Sequence, residues 1–117
     1  MTVRRIVPNF RVDRPREAAA FYRELFGLKV VMDQGWIVTL AGDGEVRPQM
    51  SLASEGGSDT PVPDVSIEVD DVDAVHERAR DLGADILYPL TDEPWGVRRF
   101  YLRDPAGKVL NVLSHRS

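Results

Sequence analysis

Apolar residues recur along this chain with two periods that take turns, one helical and one strand-like, and the whole alternation happens twice. In the stretch Arg11 to Val31 (RVDRPREAAAFYRELFGLKVV), Ala18, Phe21, Tyr22 and Leu25 fall on one side of a helix. Asp13 is placed to cap its start, Pro15 sits in the first turn, where a missing N–H costs nothing, and Gly27 is placed to end it in a left-handed conformation. A second stripe, Val72, Val75, Ala79 and Leu82, follows the acidic run Asp70-Asp71-Val72-Asp73 and stops at Gly83. The carboxylates of that run suit the positive end of a helix dipole. Each helix therefore has one side to bury against a sheet.

After each helix come three extended segments. They are Leu28 to Met32, Trp36 to Leu40 and Val46 to Leu52 in the first half, then Ile86 to Tyr88, Arg98 to Leu102 and Val109 to Leu113 in the second. Ala41-Gly42-Asp43-Gly44 and Asp104-Pro105-Ala106-Gly107 supply hairpin-type turns at equivalent places. Val12-Asp13 recurs as Val69-Asp70, Arg23 as Arg80 and Leu25 as Leu82, all at one offset, and Gly27 recurs as Gly83 after a one-residue deletion. The chain thus reads as α+β, with two tandem βαβββ modules at about 1–53 and 64–117. Between them, the Gly, Ser and Pro content of residues 54–63 (SEGGSDTPVP) predicts a flexible linker. A four-stranded module this short has open edges and an uncovered face, so two should combine around a cleft.

A chain of 117 residues, 43% hydrophobic and 29% charged, is the size of one globular domain. With no cysteine there is no disulfide, no zinc–thiolate site and no thiol nucleophile, and only two histidines remain as imidazole ligands. His76 is expected on the exposed side of the second helix and His115 near the end, both as solvated side chains. A net charge of −4 argues against nucleic acid as a partner. No apolar run is long enough to span a membrane and no export signal stands at the start, so the cytoplasm is the expected location.

The motifs in order carry a resemblance. Phe21-Tyr22 is followed by Leu25 and Gly27-Leu28; Val69-Asp70-Asp71-Val72-Asp73-Ala74 opens the second helix. Glu93-Pro94-Trp95-Gly96-Val97-Arg98 then runs into Phe100, Leu102 and Asp104-Pro105-Ala106-Gly107. Together they resemble the vicinal oxygen chelate superfamily, which contains glyoxalase I, extradiol dioxygenases, fosfomycin-resistance enzymes and bleomycin-resistance proteins. The resemblance implies its curved mixed sheets around a cleft and a homodimer.

Metal-dependent members of that superfamily hold a divalent ion with histidine, glutamine and glutamate from inner strand positions. The resemblance carries those positions onto Val7, Gln49, Asp64 and Asn111. One carboxylate, two amides and a valine make a poor divalent site. The expectation is therefore no catalytic metal and no cofactor, closest to the bleomycin-resistance-like members.

Those members hold a large cationic drug between aromatic side chains. Trp36, Trp95, Phe100, Tyr101 and Phe10 could supply such walls here, with Glu93, Asp92 and Asp64 as complementary charges, while Arg98, Arg99 and Arg103 make the surroundings mixed. The expected ligand-binding set is Trp36, Gln49, Asp64, Trp95, Tyr101 and Asn111, serving a metal-independent small-molecule binder that sequesters a bleomycin-like antibiotic or another aromatic or cationic ligand. Two alternatives stay open: a metal-dependent lyase, isomerase or dioxygenase with an atypical site, and a non-catalytic regulatory dimerisation module.

Overall fold

A computed structural model of the chain describes residues 1–116. Its elements are β1 (Val3–Arg11), α1 (Pro15–Phe26), β2 (Lys29–Asp33), β3 (Ile37–Ala41), β4 (Gln49–Ala53), β5 (Val65–Val69), α2 (Val72–Asp81), β6 (Asp85–Asp92), β7 (Val97–Arg103) and β8 (Val109–His115). This is the βαβββ pattern twice, an α+β fold. The chain divides into two compact units: Val7–Val62, and Met1–Ile6 together with residues from Pro63 onward.

In the unit Val7–Val62 the strands lie in the order β2-β3-β4-β1. The first two pairings are antiparallel and β4–β1 is parallel. Because side chains alternate along a strand, the register Val38↔Leu52 and Leu40↔Met50 sends these residues to one face. There Val38, Leu40 and Leu52 bury against Ala19 of α1, with Tyr22, Leu28 and Met50 around them. The pair Thr39↔Ser51 takes the face without a helix, where the two buried hydroxyls hydrogen-bond across the strands at 2.8 Å.

The second unit repeats the plan with β5-β8-β7-β6, in which β5–β8 is parallel and the other two pairings antiparallel. Val69, Val72, Ala79, Phe100 and Val112 form its core beneath α2. Asp71 caps α2, its carboxylate accepting from the Ala74 N–H at 3.1 Å, and Gly83 follows the last turn at φ 70°. The Asp104 carboxylate accepts from the N–H groups of Ala106 and Lys108, which fixes the β7–β8 turn.

Several expectations need correction. Asp13 does not cap α1: the N-cap is Arg14, with no side-chain cap, and Asp13 instead accepts from Arg11. Pro15 and the left-handed Gly27 stand as the pattern predicts. The α1 stripe is rotated, because Pro15 and Ala19 are its buried residues while Phe21 and Leu25 are exposed. Val46 to Pro48 precede β4 rather than form it, since Pro48 lacks a ladder donor and Val46 is exposed. His76 is half-buried, its ring meeting Phe100 edge to face at 4.9 Å between centroids. Residues 54–63 hold a hydrogen-bonded loop: Gly56 N–H donates to the Thr60 carbonyl, and the Thr60 hydroxyl and N–H both donate to the Gly57 carbonyl. No described helix is long and apolar enough to cross a membrane.

Candidate functional site

Alternation along β7 settles which side chains leave the core. Phe100 packs under α2, so Arg99 and Tyr101 point to the helix-free face of the same sheet. Cross-strand register brings Tyr88, Asn111 and Leu113 beside them, and Ser66 next to Asn111.

Arg99 is the centre of this face. Its Nε lies 2.6 Å from Oε2 of Glu93, with both side chains under 5% exposed. Its Nη1 donates to the Tyr101 hydroxyl at 3.0 Å, and the Tyr88 hydroxyl donates to Glu93 at 3.1 Å. Three rings surround the guanidinium, with centroids 4.9 Å (Trp95), 5.0 Å (Tyr101) and 5.3 Å (Tyr88) away. The β6–β7 turn positions Glu93 and Trp95 together: Glu93 N–H donates to Val97, Gly96 N–H donates back to Glu93, and Gly96 takes φ 97°, which a side chain would strain. The result is an aromatic wall whose one cation is already matched by one anion.

Asn111 is buried at the middle of β8. Its Nδ2 donates to the Ser66 hydroxyl at 3.1 Å, while its Oδ1 is buried with no hydrogen-bond partner. Asp64 is committed elsewhere, its carboxylate accepting from the Val109 N–H at 2.8 Å at the entry to β5. Farther along the face, Glu68 receives Arg5 on one oxygen and His115 on the other, at 2.5 and 3.0 Å. Burial pushes the Glu68 carboxyl up, and the His115 and Arg5 hydrogen bonds outweigh it, so the group sits below its ordinary value.

In the unit Val7–Val62, Val7 is buried and Gln49 half-buried, and the Asn9↔Ser51 and Ala41↔Gln49 pairings put both on that unit's helix-free face. Trp36 stands just before β3, half-buried, its carbonyl accepting from the Ser54 N–H at 2.9 Å. Of the six expected binding residues, then, Trp95, Tyr101 and Asn111 share one face of one sheet, and Asp64 stands at its rim. Phe100 is core, not wall. The charges expected to complement a cationic ligand are engaged within the protein: Glu93 by Arg99, Asp92 by Arg98 and Arg116, Asp64 by a backbone N–H. Sequence reasoning missed Tyr88 as a member of the wall and Arg5 and His115 as partners of Glu68. Strict alternation in Val97 to Arg103 could have paired Arg99 with Tyr101; the Glu68 contacts span 63 and 47 residues and leave no local signal.

A concavity of about 270 Å³ opens at the start of α2, lined by Asp70, Asp71, Asp73, Arg98, Ser114 and Arg116 among others. Arg98 there bonds Asp73 at 2.8 Å and Asp92 at 3.3 Å, which holds the Asp73 carboxyl below its usual range.

The residues do not fit a divalent metal ion at the positions that the superfamily uses. Val7 has no donor atom, Asp64 is held by Val109, and Asn111 offers only a neutral amide oxygen. Among the described residues no group of three or more His, Cys, Asp or Glu side chains could hold one.

A family model described as Glyoxalase/Bleomycin resistance protein/Dioxygenase superfamily matches residues 4–112. The proteins named "Putative glyoxylase CFP32" of Mycobacterium bovis and Mycobacterium tuberculosis are each 33% identical over 109 residues, covering 86% of this chain. The chain spans only 40% of their length. Among solved structures, one described as an NAD-dependent benzaldehyde dehydrogenase from Legionella pneumophila superposes with a TM-score of 0.78 at 17% identity, covering 96% of this chain and 100% of that one. A superfamily member from Vibrio splendidus gives 0.68 at 18% identity, with 97% and 99% covered. A Streptomyces coelicolor methylmalonyl-CoA epimerase in complex with 2-nitronate-propionyl-CoA gives 0.68 at 18%, with 96% and 95% covered. At such identities the structures speak for the fold alone. The family match takes in both helices and all but the last few residues of the final strand, and the chain belongs to the glyoxalase, bleomycin-resistance protein and dioxygenase superfamily.

Proposed function

We propose that this chain binds a small, flat, polar molecule without a metal ion, against the helix-free face carrying Trp95, Tyr101 and Asn111. The observation that carries the reading is the donor set. Where a divalent ion would need charged or imidazole ligands, the chain offers a valine, two amides and a carboxylate already bonded to the backbone. On the face that carries Asn111, the half-buried rings of Trp95 and Tyr88 flank the buried Tyr101 and suit stacking with a flat ligand. Because Arg99 already occupies the space among the three rings, an aromatic ligand is favoured over a simple cation. The proposal includes a homodimer, in line with the exposed apolar side chains of α1, and a cytoplasmic location for a cysteine-free chain.

Tryptophan fluorescence during titration with bleomycin, with chelator and separately with excess divalent ion, tests it. Saturable quenching unaffected by chelator supports the proposal. Quenching that appears only with the divalent ion overturns it in favour of a metal-dependent enzyme.

A further inference from the structure

We infer that the side-chain amide of Asn111 selects the ligand, its Oδ1 accepting a hydrogen bond from an N–H or O–H group of an uncharged flat molecule. This rests on the proposal that the face binds a small molecule, and it names the chemical class.

Asn111 is only 7% exposed, and its Oδ1 makes no hydrogen bond in the protein. A buried carbonyl oxygen without a donor is costly, and such atoms are rare in folded proteins. Val112 and Leu113, which follow it along β8, are buried apolar side chains, so Asn111 enters an apolar stretch of the strand. The orphan oxygen is therefore a burden on the free protein, and a ligand donor would relieve it.

The amide is also held in place. β8 is an interior strand, bonded to β5 on one side and β7 on the other, and Ser66 takes the amide nitrogen at 3.1 Å. A group fixed by a strand and by a neighbouring hydrogen bond is preorganised for recognition. Tyr101, its cross-strand partner, contributes a ring that already contacts Tyr88 at 5.4 Å between centroids. The nearby charge is balanced, since Arg99 and Glu93 pair with each other. An acceptor oxygen beside a balanced ion pair disfavours a carboxylate and offers nothing extra to a cation, which leaves an uncharged donor.

Benzamide, N,N-dimethylbenzamide and benzoate are suitable probes, the first carrying N–H donors, the second the same ring without them, and the third a charge. Titrations with wild type and Asn111→Leu, followed by tryptophan fluorescence, should show benzamide binding wild type at least about tenfold more tightly than either analogue, the worth of roughly one buried hydrogen bond. The preference should vanish in Asn111→Leu. Thermal unfolding of the free variant should stay close to the wild-type temperature, because the lost Ser66 bond is offset by removal of the unpartnered Oδ1. Equal binding of benzamide and its dimethyl analogue, preference for benzoate, or no binding of any probe overturns the inference, as does a variant that unfolds several degrees lower with its preference intact. Metal-free bleomycin binding alongside indifferent benzamides would keep the proposed function while removing Asn111 from it; selective benzamide binding without bleomycin binding would keep Asn111 and retire bleomycin.

Discussion

Arg99 and Glu93 form a buried ion pair, Nε to Oε2 at 2.6 Å, in which each side chain is almost wholly withdrawn from water. Removing one member leaves the other's charge buried without this ion pair, which costs about 3–5 kcal/mol, whereas removing both together costs much less. Urea denaturation should therefore show Glu93→Ala losing several kcal/mol and Arg99→Met/Glu93→Leu recovering most of it. Equal, additive losses would mean that the pair is not coupled.

The same asymmetry holds in the other unit on a smaller scale. Thr39→Val leaves the buried Ser51 hydroxyl without its 2.8 Å partner, a loss of about 1–3 kcal/mol. Adding Ser51→Ala should return stability to near the wild-type value, read as the denaturation midpoint. A double variant no better than the single one would contradict the pairing.

How legible this was in sequence differs between the two kinds of feature. Both helices, both hairpin turns and the order of strands were readable because period, caps and turn residues act over a few positions, as at Pro15, Gly27 and Asp71. The four inner-strand positions came from resemblance, and each lies on a helix-free face or its rim. What sequence misjudged was exposure. Phe21 and Leu25 complete a helical stripe on paper, but the chain turns α1 so that Ala18, Ala19 and Tyr22 meet the sheet. Side-chain pairing over long separations, as in Glu68 with Arg5 and His115, was invisible because nothing local specifies it.

Glu68 makes stability depend on pH in a stated direction. Its folded carboxyl lies below the ordinary 4.5, so the unfolded chain binds the proton first on acidification. The contribution is whole above about pH 4.5 and is lost as pH falls through the lower folded value. With Arg5 partly exposed, it is about 1 kcal/mol or less. Glu68→Gln should therefore narrow the stability difference between pH 6 and pH 3 relative to wild type; an unchanged difference would exclude this carboxylate.

Phe21, Leu25 and Phe26 are each at least 60% exposed on α1. Sedimentation should give a mass twice the 13.1 kDa of one chain, and Phe21→Ser/Leu25→Glu should halve it while leaving circular dichroism unchanged, since neither residue is core. A wild-type monomer would refute the dimer. A variant that stays dimeric would move the interface off this helix.

The strand β1 has its first residues in one unit and its last in the other. Thr2 and Asp70 exchange hydrogen bonds, Thr2 N–H to the Asp70 carboxylate at 2.8 Å and Asp70 N–H to the Thr2 carbonyl at 3.1 Å, and Arg5 reaches Glu68. During synthesis, Thr2 and Arg5 must therefore wait for partners made more than sixty residues later. A fragment cut at Pro63 would lose Val3–Ile6 and leave the Glu68 carboxylate without its arginine. The repeat is visible in sequence as two successive halves, yet a protease nick between them would not release two complete ones.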